Sequence, residues 1–320
     1  MPLPDLESKR LVIVLGKGGV GRTTVAVALA ARLAARGKRT LLYQANAKER
    51  LSALLGGPPA AESIVRVREN LWAVNTNPHA ALHEYGVMVL RYEAIYKMVL
   101  ENRLSKALLR AIPGLDDYSL LGKLWWHTTE EDRGRPRWDV IVFDAPATGH
   151  AVTLLRIPQA ILEAVPEGPL TRDAVKVRAL LEDPARTAPI MVTLAEEMPT
   201  NESIELAQRL ERESNIKVQG VVVNQLYPDR FPAGTGPARV LARVLDAGGA
   251  SDPVIGPVMT RSRMARSRRE LNARYLERLA SELPLPTAQL PLFFVPVIGP
   301  AQIAEMAGML GGPMESGRSR

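Results

Sequence analysis

Leu11-Val-Ile-Val-Leu-Gly-Lys-Gly-Gly-Val-Gly-Arg-Thr-Thr24 is the stretch on which the fold turns. Its first five residues are apolar without interruption, which predicts a strand buried on both faces, as in a parallel sheet. Gly16 ends that strand. From Thr23 to Arg36 the chain is alanine-rich with helical spacing, and Gly37 closes the helix. A buried strand, a glycine-rich turn and a helix in this order are the context of a phosphate-binding loop. Glycines let the backbone curl so that successive N–H groups point inward, and the helix start adds partial positive charge. The nucleotide-cradling residues are then Gly16, Lys17, Gly18, Gly19, Val20, Gly21, Arg22, Thr23 and Thr24. Thr23 is placed to ligate Mg²⁺ through its hydroxyl. Arg22 occupies the position where such loops usually carry lysine. It keeps the charge, but its flat fork is not a compact point charge.

Outward from this loop the chain alternates. Short apolar runs at 40–43, 71–74, 138–143, 190–194, 218–223, 254–258 and 290–295 read as strands. Helical patterns lie between them, ending with one over 301–310. Alternation of this kind predicts an α/β fold with a doubly wound, mostly parallel sheet. Helical insertions are expected over about 78–135 and 151–185, the second broken at Pro158, Pro166 and Pro169, with a polar loop over 130–137. The expected organisation is a flexible stretch at 1–9, one domain over 10–310 and a disordered tail at 311–320.

The composition narrows the chemistry. The 320 residues are 46% hydrophobic and 23% charged, as in a soluble globular protein. There is no cysteine, which excludes disulfides, thiolate metal sites and a cysteine nucleophile. The net charge is +7, and arginine far outnumbers lysine. No run approaches the roughly 20 apolar residues of a membrane span. No secretory leader is visible. A cytoplasmic location without stable membrane insertion is therefore expected.

A second motif narrows the family. Asp144-Ala-Pro-Ala-Thr-Gly-His150 closes the strand at 138–143, and Leu154-Leu-Arg-Ile-Pro158 follows it. With Lys17 early in the phosphate loop, this resembles the ArsA/GET family of deviant Walker A P-loop ATPases. Pro113-Gly-Leu-Asp-Asp117, Asp183-Pro-Ala-Arg-Thr187, Glu202 and Val221-Val-Val-Asn-Gln-Leu226 also fit the family pattern. The resemblance implies ATP and Mg²⁺ as ligands and a dimer joined through its nucleotide face. It implies that Lys17 reaches the partner's phosphates and that Asp144 is the acid orienting Mg²⁺ through water. Asn224 would contact adenine, with the apolar stretch at 290–294 beside the base.

The sequence also departs from that pattern. The family's second strand leads into Asp-Pro-Ala, whose aspartate prepares the attacking water. Here Gln44-Ala-Asn-Ala-Lys48 follows, which aligns Asn46 with the catalytic acid. Asparagine can hold a water but cannot take its proton. Pro296-Val-Ile-Gly299 replaces a Glu-Val-Arg-Gly segment. With Arg22 these changes imply nucleotide binding with weak or lost hydrolysis. They suit a homodimer or the degenerate half of a heterodimer with an intact ArsA-like paralogue. A non-catalytic scaffold subunit is the second reading, and a ParA/MinD-like positioning protein the third.

Remaining features have plainer readings. Met88, Leu90, Met98, Val99, Leu108, Leu109, Leu120, Leu121, Trp125 and Trp126 could line a groove for a protein client, or simply pack the insertion on the sheet. His79 and His83 share a helix face, and His127 lies further on; exposed or core histidines are commoner than a metal site. Arg261, Arg263, Arg266, Arg268 and Arg269 form a basic cluster that reads as a solvated helix start. Nucleic acid is not expected, since no aromatic residues interleave it.

Overall fold

The computed structural model describes residues 3–45, 47, 50–60, 62–77, 81, 115–146, 148–228, 236–246 and 255–311. The fold grows from β1 (Leu11–Gly16). All six residues are buried, and alternate side chains feed two separate cores. Leu11, Ile13 and Leu15 belong to one core cluster, Val12 and Val14 to the other. An unbroken apolar run follows from this, because each face needs apolar side chains at every second position.

β1 continues through the phosphate loop into α1 (Arg22–Ala35), then β2 (Thr40–Ala45) and the short α2 (Leu51–Leu55). β3 (Val65–Arg68) and β4 (Leu71–Thr76) form a hairpin at one edge. Next come α3 (Leu115–Thr129), a small hairpin of β5 (Glu131–Asp132) and β6 (Arg135–Pro136), and β7 (Val140–Asp144). α4 (Thr148–Ala164) and α5 (Pro169–Glu182) lead to β8 (Thr187–Leu194), α6 (Glu197–Ser214) and β9 (Gly220–Leu226). α7 (Gly236–Asp246), α8 (Ile255–Glu282), β10 (Thr287–Pro291) and α9 (Pro300–Met309) complete the described chain.

Among the described residues eight strands make the main sheet, in the order β10-β9-β8-β1-β7-β2-β4-β3. Every neighbouring pair is parallel except β3 with β4. The expected α/β, doubly wound, mostly parallel sheet is thus observed. One face packs on residues of α1 and α9, the other on residues of α3 to α6 and on Leu279 of α8. β1 lies between β7 and β8, so the chain winds away from it in both directions. The crevice beyond the carboxyl ends of such strands is where α/β sheets bind ligands.

The structure corrects several details. The stretch at 254–258 is not a strand in its described part, since Ile255 already lies in α8. Pro257 is tolerated there because the first N–H groups of a helix have no intrahelical acceptor. Pro158 lies inside α4 rather than ending it. Buried Leu154, Leu155, Ile157 and Ile161 hold that helix on the core and offset the hydrogen bond proline removes. The polar stretch at 130–137 is a hairpin, with Arg133 and Gly134 both at positive φ. β3 was not expected because Arg66 and Arg68 break its apolar pattern, and only an edge strand permits that. Leu3 and Leu6 pack against the α1 side of the sheet. The expected helices over 82–112, His79, His83 and the tail at 312–320 lie outside the described residues.

Glu130 fastens the small hairpin to the core. It accepts hydrogen bonds from Trp138 Nε1 at 3.0 Å and from Arg137 Nη1 at 3.2 Å. His127 Nδ1 lies 2.8 Å from it and donates, since a carboxylate only accepts. Burial alone would raise the Glu130 pKa, but His127, Trp138 and Arg137 outweigh it and bring the value from 4.5 to about 2. A depressed acid adds stability that is present above the unfolded value and lost as pH falls toward the folded one. We predict that Glu130→Gln destabilises the protein by about 1–3 kcal/mol at neutral pH. The deficit should shrink as pH falls from 4.5 toward about 2. Urea midpoints across that range check it; parallel curves for the two proteins would refute it.

Candidate functional site

β1 delivers the phosphate loop to the carboxyl edge of the sheet, and two glycines make the delivery possible. Gly16 has φ 153° and is paired with Val192 of β8. A Cβ on Gly16 would run into the Val192 carbonyl oxygen. Gly21 caps α1 at φ 87°, the left-handed region where a side chain is strained. A Cβ there would collide with the Asn224 amide. The first turn of α1 opens with the Val25 N–H on the Gly21 carbonyl at 3.0 Å. Among the described residues no acceptor takes the N–H groups from Lys17 to Thr24. Gly18 and Gly19 are exposed while Val20 is buried beneath them. Such a run of donors at a helix start is an anion-binding surface.

Arg22 does not extend from this surface. Its Nη1 donates to the Gly16 carbonyl at 2.9 Å, closing the loop on itself. Its Nε lies 3.5 Å from Asp144 Oδ1. The Arg22 side chain is 16% exposed and that of Asp144 2%. Neither atom of this contact has a hydrogen-bond partner. The register of β2 on β7 sets Gln44 beside Asp144, and Gln44 Nε2 donates to Oδ2 at 3.2 Å. Burial pushes the Asp144 pKa up, against the pull of Arg22, Thr23 and Gln44. Burial likewise lowers that of Arg22, with Asp144 restoring part. Both shifts run against the charged forms, so the pair does not fully compensate its own desolvation.

Two further contacts tie the loop to its surroundings. Asn224 is buried, donates from Nδ2 to the Val20 carbonyl at 2.9 Å and accepts the Gln225 N–H at 3.0 Å. Lys17 is ion-paired with Glu202 of α6, both about one-third exposed. The structure therefore brings the loop residues, Asp144 and Asn224 together. Asn46 lies outside the described residues, as do the side chains at 148–150.

Across known proteins, the model of the anion-transporting ATPases matches residues 9–167 and 169–235. The chain belongs to that family. It is similar to the ATPase BagA of Mycobacterium tuberculosis, 30% identical over 235 residues, covering 70% of this chain and 67% of that protein. It is also similar to the ATPase GET3 of Kluyveromyces lactis, 26% identical over 283 residues, covering 75% and 80%. The ATPase asna-1 of Caenorhabditis elegans is 26% identical over 287 residues, covering 74% and 81%. The sheet is that of an ArsA-type P-loop ATPase.

Membership implies ATP binding. Thr23 and Asp144 lie side by side, as a metal site would need. Yet the Asp144 oxygens face Arg22 and Gln44, so a cation already stands against the acid. In this arrangement the residues present do not fit a hydrated divalent ion at Asp144. No group of three or more acidic or histidine side chains able to hold a metal occurs among the described residues.

Sequence patterns do not single out Gln44 or Asn272. Asn272 of α8 is buried, donates to the Ala195 carbonyl at 2.9 Å and accepts the Tyr227 N–H at 3.0 Å. It joins the ends of β8 and β9 beside the loop. Its only sequence signal is a polar residue on the inner face of a long helix. The basic cluster lies within α8 rather than at its start, and Arg266 and Arg268 pair with Glu270 and Glu196. His127 serves Glu130. Leu120 and Leu121 are core residues, while Trp126 is 40% exposed. Leu290 sits in β10, and Phe294 beyond it meets the Tyr227 ring edge-on at 6.0 Å.

The Gly21–Asn224 contact makes a test of the loop geometry. Gly21→Ala should cost about 1–2 kcal/mol from the left-handed backbone, and more from the clash with Asn224. Adding Asn224→Ala should relieve the second part, giving a coupling of at least about 0.5 kcal/mol in a double-mutant cycle. Strictly additive urea midpoints would show that the two residues do not touch.

Proposed function

We propose that this chain is an ATP-binding switch of the ArsA/GET type, dimeric through its nucleotide face, in which hydrolysis is weak or lost. The observation that carries this reading is the closed pairing of Arg22 with both Gly16 and Asp144. The unpaired N–H groups of the loop supply a phosphate cradle, so binding is retained. Hydrolysis asks for more, because phosphoryl transfer depends on positioned charge and a positioned water. Arg22 is committed to the acid, and Asn46 stands where the family places the aspartate that prepares water.

Lys17 supports the dimeric part. It sits in the loop, about one-third exposed and held by Glu202, where a second subunit could draw it to its own phosphates. The partner is a second copy or an intact ArsA-like paralogue, whose site Lys17 would complete. A non-catalytic regulatory or scaffold subunit is the alternative that the Arg22–Asp144 pairing also favours. The two differ in whether turnover appears when the paralogue is present. A protein client remains part of the proposal, though Leu120 and Leu121 are too deeply buried to serve it. No described helix is long and apolar enough to cross a membrane. A cytoplasmic location is part of the same proposal and rests on the ATP chemistry of the family.

The purified protein should bind ATP stoichiometrically and release phosphate slowly. The double variant Arg22→Lys, Asn46→Asp should turn over on the order of 10²–10⁴ times faster. Phosphate release and oligomer mass, measured alone and with an ArsA-like paralogue, check this. Turnover by the unaltered protein equal to that of the double variant would overturn it.

A further inference from the structure

We infer that Arg22 takes the place of the divalent cation in this site, so that the chain binds nucleoside triphosphate without requiring Mg²⁺. The inference rests on the nucleotide-binding reading above and goes beyond it. A hydrated divalent ion beside a phosphate loop needs an acid whose lone pairs are free to accept from its waters. Asp144 offers them poorly: Oδ2 accepts from Gln44 at 3.2 Å, and Oδ1, though it accepts no hydrogen bond, faces the Arg22 guanidinium with Nε at 3.5 Å. A second positive charge at that oxygen would meet the guanidinium at close range in a buried setting, where repulsion is weakly screened.

The geometry also explains why arginine, rather than lysine, does this. A guanidinium presents five donors in a rigid fork, so one side chain can span two acceptors at once. Arg22 spans the Gly16 carbonyl and the Asp144 carboxylate, which lie on neighbouring strands β1 and β7. A lysine has one nitrogen and would leave the acid when it turned to a phosphate, opening the acid to a metal. Arg22 can exchange its carbonyl contact for phosphate oxygens while its Nε stays at Asp144. Charge-assisted bonds from guanidinium to phosphate are short and strong. The phosphates then receive their positive charge from Arg22, the loop N–H groups and the start of α1.

Binding of a fluorescent ATP analogue, in excess Mg²⁺ and in excess chelator, tests this. The dissociation constant should differ by less than about threefold between the two buffers. Arg22→Lys should restore metal dependence, with at least about tenfold weaker binding in chelator than in Mg²⁺. Asp144→Asn should change binding equally in both buffers. A tenfold loss on chelation in the unaltered protein would overturn the inference. So would an Arg22→Lys variant as indifferent to metal as the parent, or an Asp144→Asn effect confined to the Mg²⁺ buffer. Absence of binding in both buffers would overturn the nucleotide reading itself, and this inference with it. Circular dichroism of each variant separates loss of binding from loss of fold.

Discussion

A strand whose side chains are all apolar must be covered on both faces, and β1 is such a strand. Its burial fixes most of what surrounds it. Two cores form, one under α1 and α9 and the other under α3 to α6, because neither face of β1 can meet water. Fully burying each of its larger side chains contributes about 1.5–3 kcal/mol. The same strand ends at Gly16, so the glycine loop emerges at one height on the sheet, beside the ends of β7 and β8. Asp144 and Val192 meet the loop because the register of β1 with its neighbours is set by the core.

At that edge the charges are paired within the chain. Arg22 holds Asp144, and Lys17 holds Glu202. The first pair is buried and the second is near the surface, which gives them different weight. A surface pair contributes little and is readily exchanged for another partner. A buried pair is costly to break from one side, because the remaining charge is left without compensation. Lys17 is thus free to change partners at modest cost, while Arg22 is anchored. This asymmetry underlies the reading of a switch that binds and pairs more readily than it turns over.

Much of this was legible in the residues. The phosphate loop could be read because it needs glycine at particular places and because a buried strand must be apolar. Asp144 was legible through its motif, because the run from Asp144 to His150 at the end of an apolar strand resembles the family's pattern. The stretch at 254–258 misled because β-branched residues beside prolines look alike in a strand and in a first helical turn. Pro158 misled because its local penalty is smaller than the packing of the helix around it. β3 was hidden because an edge strand carries charges that a central strand would reject. Gln44 and Asn272 were not legible, since each acts on residues about one hundred or fewer positions away that only folding brings near.

The sequence by itself determined the α/β class, the phosphate loop, the family likeness and the two substitutions, Arg22 and Asn46. These follow from local chemistry: which residues a turn, a strand or a helix start will accept. Only the tertiary structure decided that Arg22 lies across the loop onto Gly16 and Asp144, and that Asn224 braces Val20 instead of standing open. The reason is that a long polar side chain has many conformers of similar energy in isolation. Its choice among them is made by acceptors that distant strands deliver, and by how much water those strands exclude.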